Sequence, residues 1–503
     1  MSRKIRILIM LPAVLVVMAG IVLTISSSGS RGKLRRYQAE LRAKGEKLTF
    51  TELAIPPSTN AEQVASRAVF ISPAIMSGAY ATNSFVRPAP VPCSLMEFVS
   101  PGRARVAWGG ELWLNPDNGN SSKTNIHLRI EWADFNRTNA AIAGKLEIYK
   151  QALEHPTPDT GWIYQNTILT ATSGPPRTFM RDRPLAYGLV NAEIGELHRG
   201  NLAGAVTDLH ALAGSAQLYR NEPMLVHQMA RVTFAEMGLR ATWEALQAPG
   251  WNEEQLVALQ RDWEQVEVME GAERGFLGTR AEGVIIMENV RRAKGQSFWQ
   301  IIPFQNVGKT AMMMMNKTPL AQFWKEQVLP VTYKATSMDA DELLHLRQMS
   351  EFIDTVRLLK AGRPWPEVSL INSNLWQRFE VEVSGDGIHS YWATAYIFPN
   401  LSRSLQIAVR TETLRRLAIT AIALKRYELR HGHLPSTLAA LVPEFLHEVP
   451  MDLMSGKPLV YRCNADSTFV LYSVGEDGKD DGGQGGMDLW QGADAVWPVG
   501  KAR

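Results

Sequence analysis

The spacing of apolar residues changes character several times along the chain. From Ile7 to Ile25, nineteen consecutive positions carry no charge. As a helix such a run is about 28 Å long, close to the hydrocarbon thickness of a bilayer. The pattern predicts a transmembrane helix. Two other readings stay open. One is a cleaved signal peptide, although the run exceeds a usual signal core and no A-x-A site precedes Ser30. The other is a buried helix of a soluble domain, although nothing polar defines a solvent face. Arg3, Lys4 and Arg6 precede the run, which favours an amino terminus in the cytoplasm and everything beyond about residue 30 outside it. Arg31, Lys33, Arg35 and Arg36 follow and weaken that bias, but long domains translocate largely regardless of flanking charge.

Leu34, Tyr37 and Leu41 are spaced for a short helix that Gly45 would end. Pro73, Pro88, Pro90, Pro92 and Pro101 then forbid a helix over residues 72 to 101 and predict irregular or extended chain. Partial alternation in ARVAWGGELWL and NIHLRIEW fits a short strand or a helix start. Ile142, Leu146, Tyr149 and Leu153 mark a helix that His155-Pro156 stops. Residues 184 to 295 keep threes and fours throughout and read as consecutive antiparallel helices without a strand. One ends near Gly200, one runs from Leu202 to Tyr219, one has Pro223 at its first position, and one is capped by Asn252 with Gln255 as reciprocal partner. No 34-residue self-similarity is found, so an irregular hairpin bundle or short solenoid is expected, serving either as a binding scaffold or as a packed spacer.

Leu414, Leu417, Ala421 and Leu424, widened by Ala418 and Ile422, predict one long amphipathic helix from Arg403 to His431, ended by Gly432 and Pro435. The runs LVYR and TFVLYSVG alternate with turns as strands of an antiparallel hairpin. The expected fold class is mainly α. An N-terminal transmembrane anchor covers residues 1–30, and a juxtamembrane helix, Pro-rich loop and first helical elements cover 31–183. A helical hairpin region covers 184–402, and an α+β domain of long helix and small sheet covers 403–503.

Composition narrows the function classes. The chain has 503 residues, with 53 Lys+Arg against 50 Asp+Glu and a net charge of +3. That balance, with no long basic run, argues against a nucleic-acid binder. Two cysteines, Cys93 and Cys463, cannot build a disulfide scaffold or a cysteine zinc site. They either pair or are buried thiols, and buried thiols are the default. Several motifs fail on inspection. Asn306-Val307-Gly308-Lys309-Thr310 ends like a phosphate loop, but Pro303 stands where the first glycine is required. There is no H-E-x-x-H helix, no G-x-S-x-G elbow and no G-x-G-x-x-G turn. His431 and His433 read as solvated or dipole-facing groups at a helix end, and Met312 to Met315 as a buried segment.

The order Tyr427, Gly432, Pro435, Pro450-x-Asp452, Gly456-x-Pro458, Tyr461, Ser473-x-Gly475-x-Asp477-Gly478 and a glycine-rich acidic tail resembles the major pseudopilin of type II secretion systems over residues 403 to 503. The whole chain resembles bacterial membrane-anchored envelope proteins in which such a domain follows a helical region. The likeness implies a calcium ion in the carboxy-terminal loop, with Asp477 and Asp488 at the matching positions. Composition adds Asp480 and Asp481, because carboxylates interleaved with five glycines could surround a hard cation. A solvated acidic turn is the alternative. In a pseudopilin the hydrophobic segment runs directly into the matching helix and carries an acidic residue. Here it lies far upstream without one, which speaks against a pilus-like fibre.

Two functions follow. The favoured one is a non-enzymatic, single-pass inner-membrane protein, held by residues 7–25 with its bulk on the extracytoplasmic side. Its helical region would scaffold protein partners, and its pseudopilin-like end would be a calcium-stabilised interaction domain. The alternative is an envelope enzyme with a site between the helical region and the carboxy-terminal domain, built from residues such as Asp208, His210 and Glu236.

Overall fold

A computed structural model describes residues 29–71, 96–97, 105–106, 132–164, 179–294, 296–301, 322, 324–383, 391–397, 401–465, 468–485, 489–490 and 492–497. The apolar run 7–25, Cys93, the segment from Asn306 to Met315, and Asp488 lie outside them. Among the described residues no helix is long and apolar enough to cross a membrane.

Helix α1 (29–43) forms where Leu34, Tyr37 and Leu41 share a face, and Gly45 follows it in the left-handed region at φ 80°. Thr49 and Glu52 make a capping box on the short α2 (Phe50–Leu53). Helix α3 (Ala61–Ile71) comes next. Within the proline-rich stretch and just beyond it, β1 (Met96–Glu97) pairs antiparallel with β2 (Arg105–Val106). Of the two sequences that fitted a strand or a helix start, the first supplies β2, and Trp132 in the second opens α4 (Trp132–Leu153).

The central region is helical without a strand, as the three-and-four spacing predicts: α5 (Phe179–His198), α6 (Leu202–Gln217), α7 (Leu225–Leu246), α8 (Glu253–Glu264) and α9 (Val268–Arg292). Asn252 and Gln255 form the expected capping box on α8. Pro223 is not the first residue of α7. The N-cap is Met224, and Pro223 instead lies against α9, where a Cβ on Gly278 would be 1.7 Å from its carbonyl oxygen. A Cβ on Gly283 would likewise sit 2.0 Å from the His345 ring, so α9 is bare where its neighbours approach most closely. Trp263 fills the space over Gly238 of α7 and donates its indole N–H to Thr242 at 2.9 Å.

After α10 (Gln296–Ile301), a π-helical turn (Trp324–Val328) leads into α11 (Leu329–Thr336), α12 (Met338–Lys360), α13 (Trp365–Val383) and the short α14 (Trp392–Ile397). Helix α15 (Leu401–His431) is the long helix read from the sequence, and Gly432 ends it at φ 75°. Its middle is not one-sided, however. Every residue from Leu417 to Leu424 is buried, eight uncharged residues LAITAIAL in a helix that as a whole contacts α7, α8, α9 and the terminal sheet.

The sheet has the order β3 (Val460–Cys463), β4 (Phe469–Ser473), β5 (Ala495–Trp497), all antiparallel. Val460 pairs with Tyr472, and Leu471 with Trp497. Strand β5 has no counterpart in the sequence reading, since three residues are too few for alternation to show. Cys463, at the end of β3, is exposed and not disulfide-bonded, which corrects the expectation of a buried thiol. One apolar core runs from Phe70 and Phe135 through the central helices to Leu471 and Trp497, so position 403 does not interrupt it.

Candidate functional site

The conspicuous turn residues of the carboxy-terminal region meet around Asp452. Its carboxylate, 1 % exposed, accepts from the backbone N–H of Met454 (2.9 Å) and Val474 (3.1 Å) and from the hydroxyls of Ser473 (2.7 Å) and Ser455 (3.3 Å). Burial pushes its pKa up and these four donors oppose that rise. The Asp452 carbonyl accepts from Gly456, and Met451 bridges Pro458. Tyr461 donates its hydroxyl to the Pro435 carbonyl at 2.8 Å. The spacing Pro450-x-Asp452, Gly456-x-Pro458, Ser473 is therefore a turn pinned to the end of β4.

The acidic loop is tied from a position the sequence did not single out. Asp494, fully buried, accepts from the backbone N–H of Gly483 (2.7 Å), Gln484 (3.0 Å) and Asp481 (3.3 Å). By contrast Asp477, Asp480 and Asp481 are exposed. Asp477 accepts from Lys479 N–H, and Asp480 from Gly482 N–H and the Tyr472 hydroxyl, which hold the Asp480 carboxyl below its usual range. Among the described residues no three His, Cys, Asp or Glu side chains are grouped to hold a metal ion. Asp488, the fourth carboxylate of the expected set, lies outside the described residues. His431 and His433 are exposed beside Tyr427, their rings 6.2 Å apart.

The alternative site between the helical region and the terminal domain falls on a packed junction. Gln260 of α8 donates to the Phe445 carbonyl at 2.8 Å, and Arg426 pairs with Glu253 at 2.8 Å. Arg415 donates to the Trp263 carbonyl, Arg416 to that of Met451, and Lys425 to that of Leu246. Glu412 is buried, which pushes its carboxyl up, but Arg415 and Arg416 outweigh burial and hold it low. Asp208, His210 and Glu236 do not converge. The Asp208 carboxylate lies beside Lys150 of α4, His210 is 2.8 Å from Asp262, and Glu236 is 3.0 Å from Arg240.

The perturbed groups lie elsewhere. Glu193 on α5 is wholly buried, with no hydrogen-bond partner for either carboxylate oxygen among the described residues. Burial raises its pKa far above the usual carboxyl range, and Glu244 and Asp208 add to the rise. Burial likewise lifts Asp208 to about 6 against the opposing pull of Lys150. Arg231 is held by the neutral oxygens of Ala216 and Gln228, and burial with neighbouring Arg274 brings it down to about 9. Asp341 caps α14 through the N–H groups of Ala393 (2.9 Å) and Thr394 (3.1 Å) and accepts from Tyr333 at 2.5 Å. Burial brings it to about 6 all the same. None of these carries a sequence signature. Their surroundings are supplied by other segments, and only the fold says what they are.

Compared with family models, with curated proteins and with solved structures, the chain matches none.

Proposed function

We propose that the chain is a non-enzymatic scaffold of the bacterial envelope. Residues 7–25 anchor it in the inner membrane, the bulk lies on the extracytoplasmic side, and protein partners bind the helical region and the pseudopilin-like end. The observation that supports this most is the junction along α15. The helical region and the terminal sheet share one apolar core, so a load or partner on either is transmitted to the other through a continuous 31-residue helix. The enzyme reading draws nothing from that junction, whose space is filled by Trp263, Phe445 and the α15 side chains. Of the two readings of the acidic loop, the solvated turn has the support of the geometry, because Asp494 ties the loop through backbone donors.

Affinity purification of the full chain from detergent-extracted native membranes tests the reading. Stoichiometric partner proteins are expected, retained when Asp208→Asn, His210→Gln and Glu236→Gln are combined. Alkaline washing should leave the chain in the membrane fraction. Recovery of the chain alone, or its release by the wash, would count against the proposal.

A further inference from the structure

Helix α1 begins four residues after the apolar run and is fixed firmly to the body. On its inner face Leu34 and Leu41 pack with Leu343 and Leu346 of α12. Arg31 pairs with Asp339 at 3.1 Å, Gln38 donates to Glu342 at 2.9 Å, and the Arg347 guanidinium lies over the Tyr37 ring at 5.6 Å. Arg291 of α9 closes the network by pairing with both Asp339 and Glu342. The outer face is different. Lys33, Arg35, Arg36, Arg42 and Lys44 are all exposed, and of these only Arg42 lies within 4.0 Å of a carboxylate among the described residues. Gly32, Ala39 and Ala43 lie between them with one exposed acid, Glu40, so the face keeps a net positive charge.

We infer that the outer face of α1 lies on anionic lipid headgroups and thereby sets the orientation of the whole body on the membrane. The inference rests on the anchor reading of residues 7–25. The occupant follows from charge and position. Four cationic side chains with no ion pair among the described residues, Lys33, Arg35 and Arg36 on α1 and Lys44 just after it, stand within twenty residues of a segment long enough to span a bilayer, and a negatively charged surface attracts such a juxtamembrane cluster at short range. Because the inner face is joined to α9 and α12, headgroup contact at α1 holds the body and not merely a tether.

The test uses the full chain carrying Cys93→Ser, Cys463→Ser and Ala39→Cys, with a nitroxide on the introduced thiol. The chain is reconstituted in phosphatidylcholine vesicles with or without phosphatidylglycerol, and a nickel-chelating lipid supplies the headgroup relaxant. Strong nitroxide relaxation is expected in the anionic vesicles, falling several-fold in neutral ones, at high salt, and when Lys33→Gln, Arg35→Gln and Arg36→Gln are combined. Those three changes touch no packed residue, and an unchanged melting curve would show that the fold is intact. Equal relaxation in both lipids would overturn the electrostatic assignment. A solvent-like nitroxide on a chain that still floats with the vesicles would overturn the surface contact and leave the anchor standing. A chain that does not float would overturn both.

Discussion

Glu193 of the helical body and Asp452 and Asp494 of the terminal region are buried in opposite ways. In the terminal region Asp452 and Asp494 are buried and each engages at least three donors. In the body Glu193 is just as buried and engages none among the described residues. The cause is the backbone. A helix consumes its own N–H groups in internal bonds, so an acid on one helix facing another finds no main-chain donor. Turns leave N–H groups free, and a carboxylate placed among them collects several. Asp341 shows the rule inside the body, because the main-chain donors it finds are at the open first turn of α14, beside the Tyr333 hydroxyl. Apolar close packing runs through both regions; the body adds ion pairs such as Arg280–Glu46 and Lys360–Glu273, and the terminal region adds carboxylates that pin turns.

Several substitutions break or sharpen this contrast. The largest effect is expected from Asp452→Ala, which leaves two backbone N–H groups and the Ser473 hydroxyl without their acceptor. A loss of about 3–5 kcal/mol in denaturant unfolding follows from unsatisfied buried donors, and Asp452→Asn should recover part of it. A loss under 1 kcal/mol would mean that water replaces the carboxylate.

In the body the corresponding break is steric. Gly278→Ala would place a methyl group 1.7 Å from the Pro223 carbonyl oxygen. The cost should be about 2–3 kcal/mol, the upper part of the overpacking range. An unaltered melting temperature would show that α7 and α9 separate freely.

Glu193→Met has the opposite sign. Burial raises the folded-state pKa of Glu193 above its unfolded value, so the folded state holds the proton more tightly. Native stability is greatest below the unfolded value near 4.3 and declines as pH rises toward the folded one. Methionine removes the decline, so the variant should be more stable than the parent by about 1–3 kcal/mol at pH 8, with the gap closing near pH 4. A pH-independent difference would show that Glu193 does not titrate in this range.

The smallest effect is expected at Asp477. The side chain is exposed and accepts one local N–H, so Asp477→Ala should change stability by less than about 0.5 kcal/mol. Calcium and a chelator should give the same melting curve. A calcium-dependent rise lost in Asp477→Ala would favour the metal reading over the solvated turn.

Periodicity, breakers and caps determined most of the elements. The helices between residues 179 and 292, the long α15 and the hairpin of β3 and β4 follow from local spacing, and Gly45, Gly200 and Gly432 end helices in the left-handed conformation only glycine adopts cheaply. These are near-neighbour effects, so the sequence alone suffices. The chemistry of single polar residues was decided by the tertiary structure. Asp477, Asp480 and Asp481 drew attention because they are clustered, yet Asp494, a lone acid before β5, ties the loop. Asp208, His210 and Glu236, scattered residues that no motif joins, go to three different partners. Whether a carboxylate is solvated, paired or stranded depends on donors contributed by segments tens or hundreds of residues away, and no local pattern records which segment will arrive.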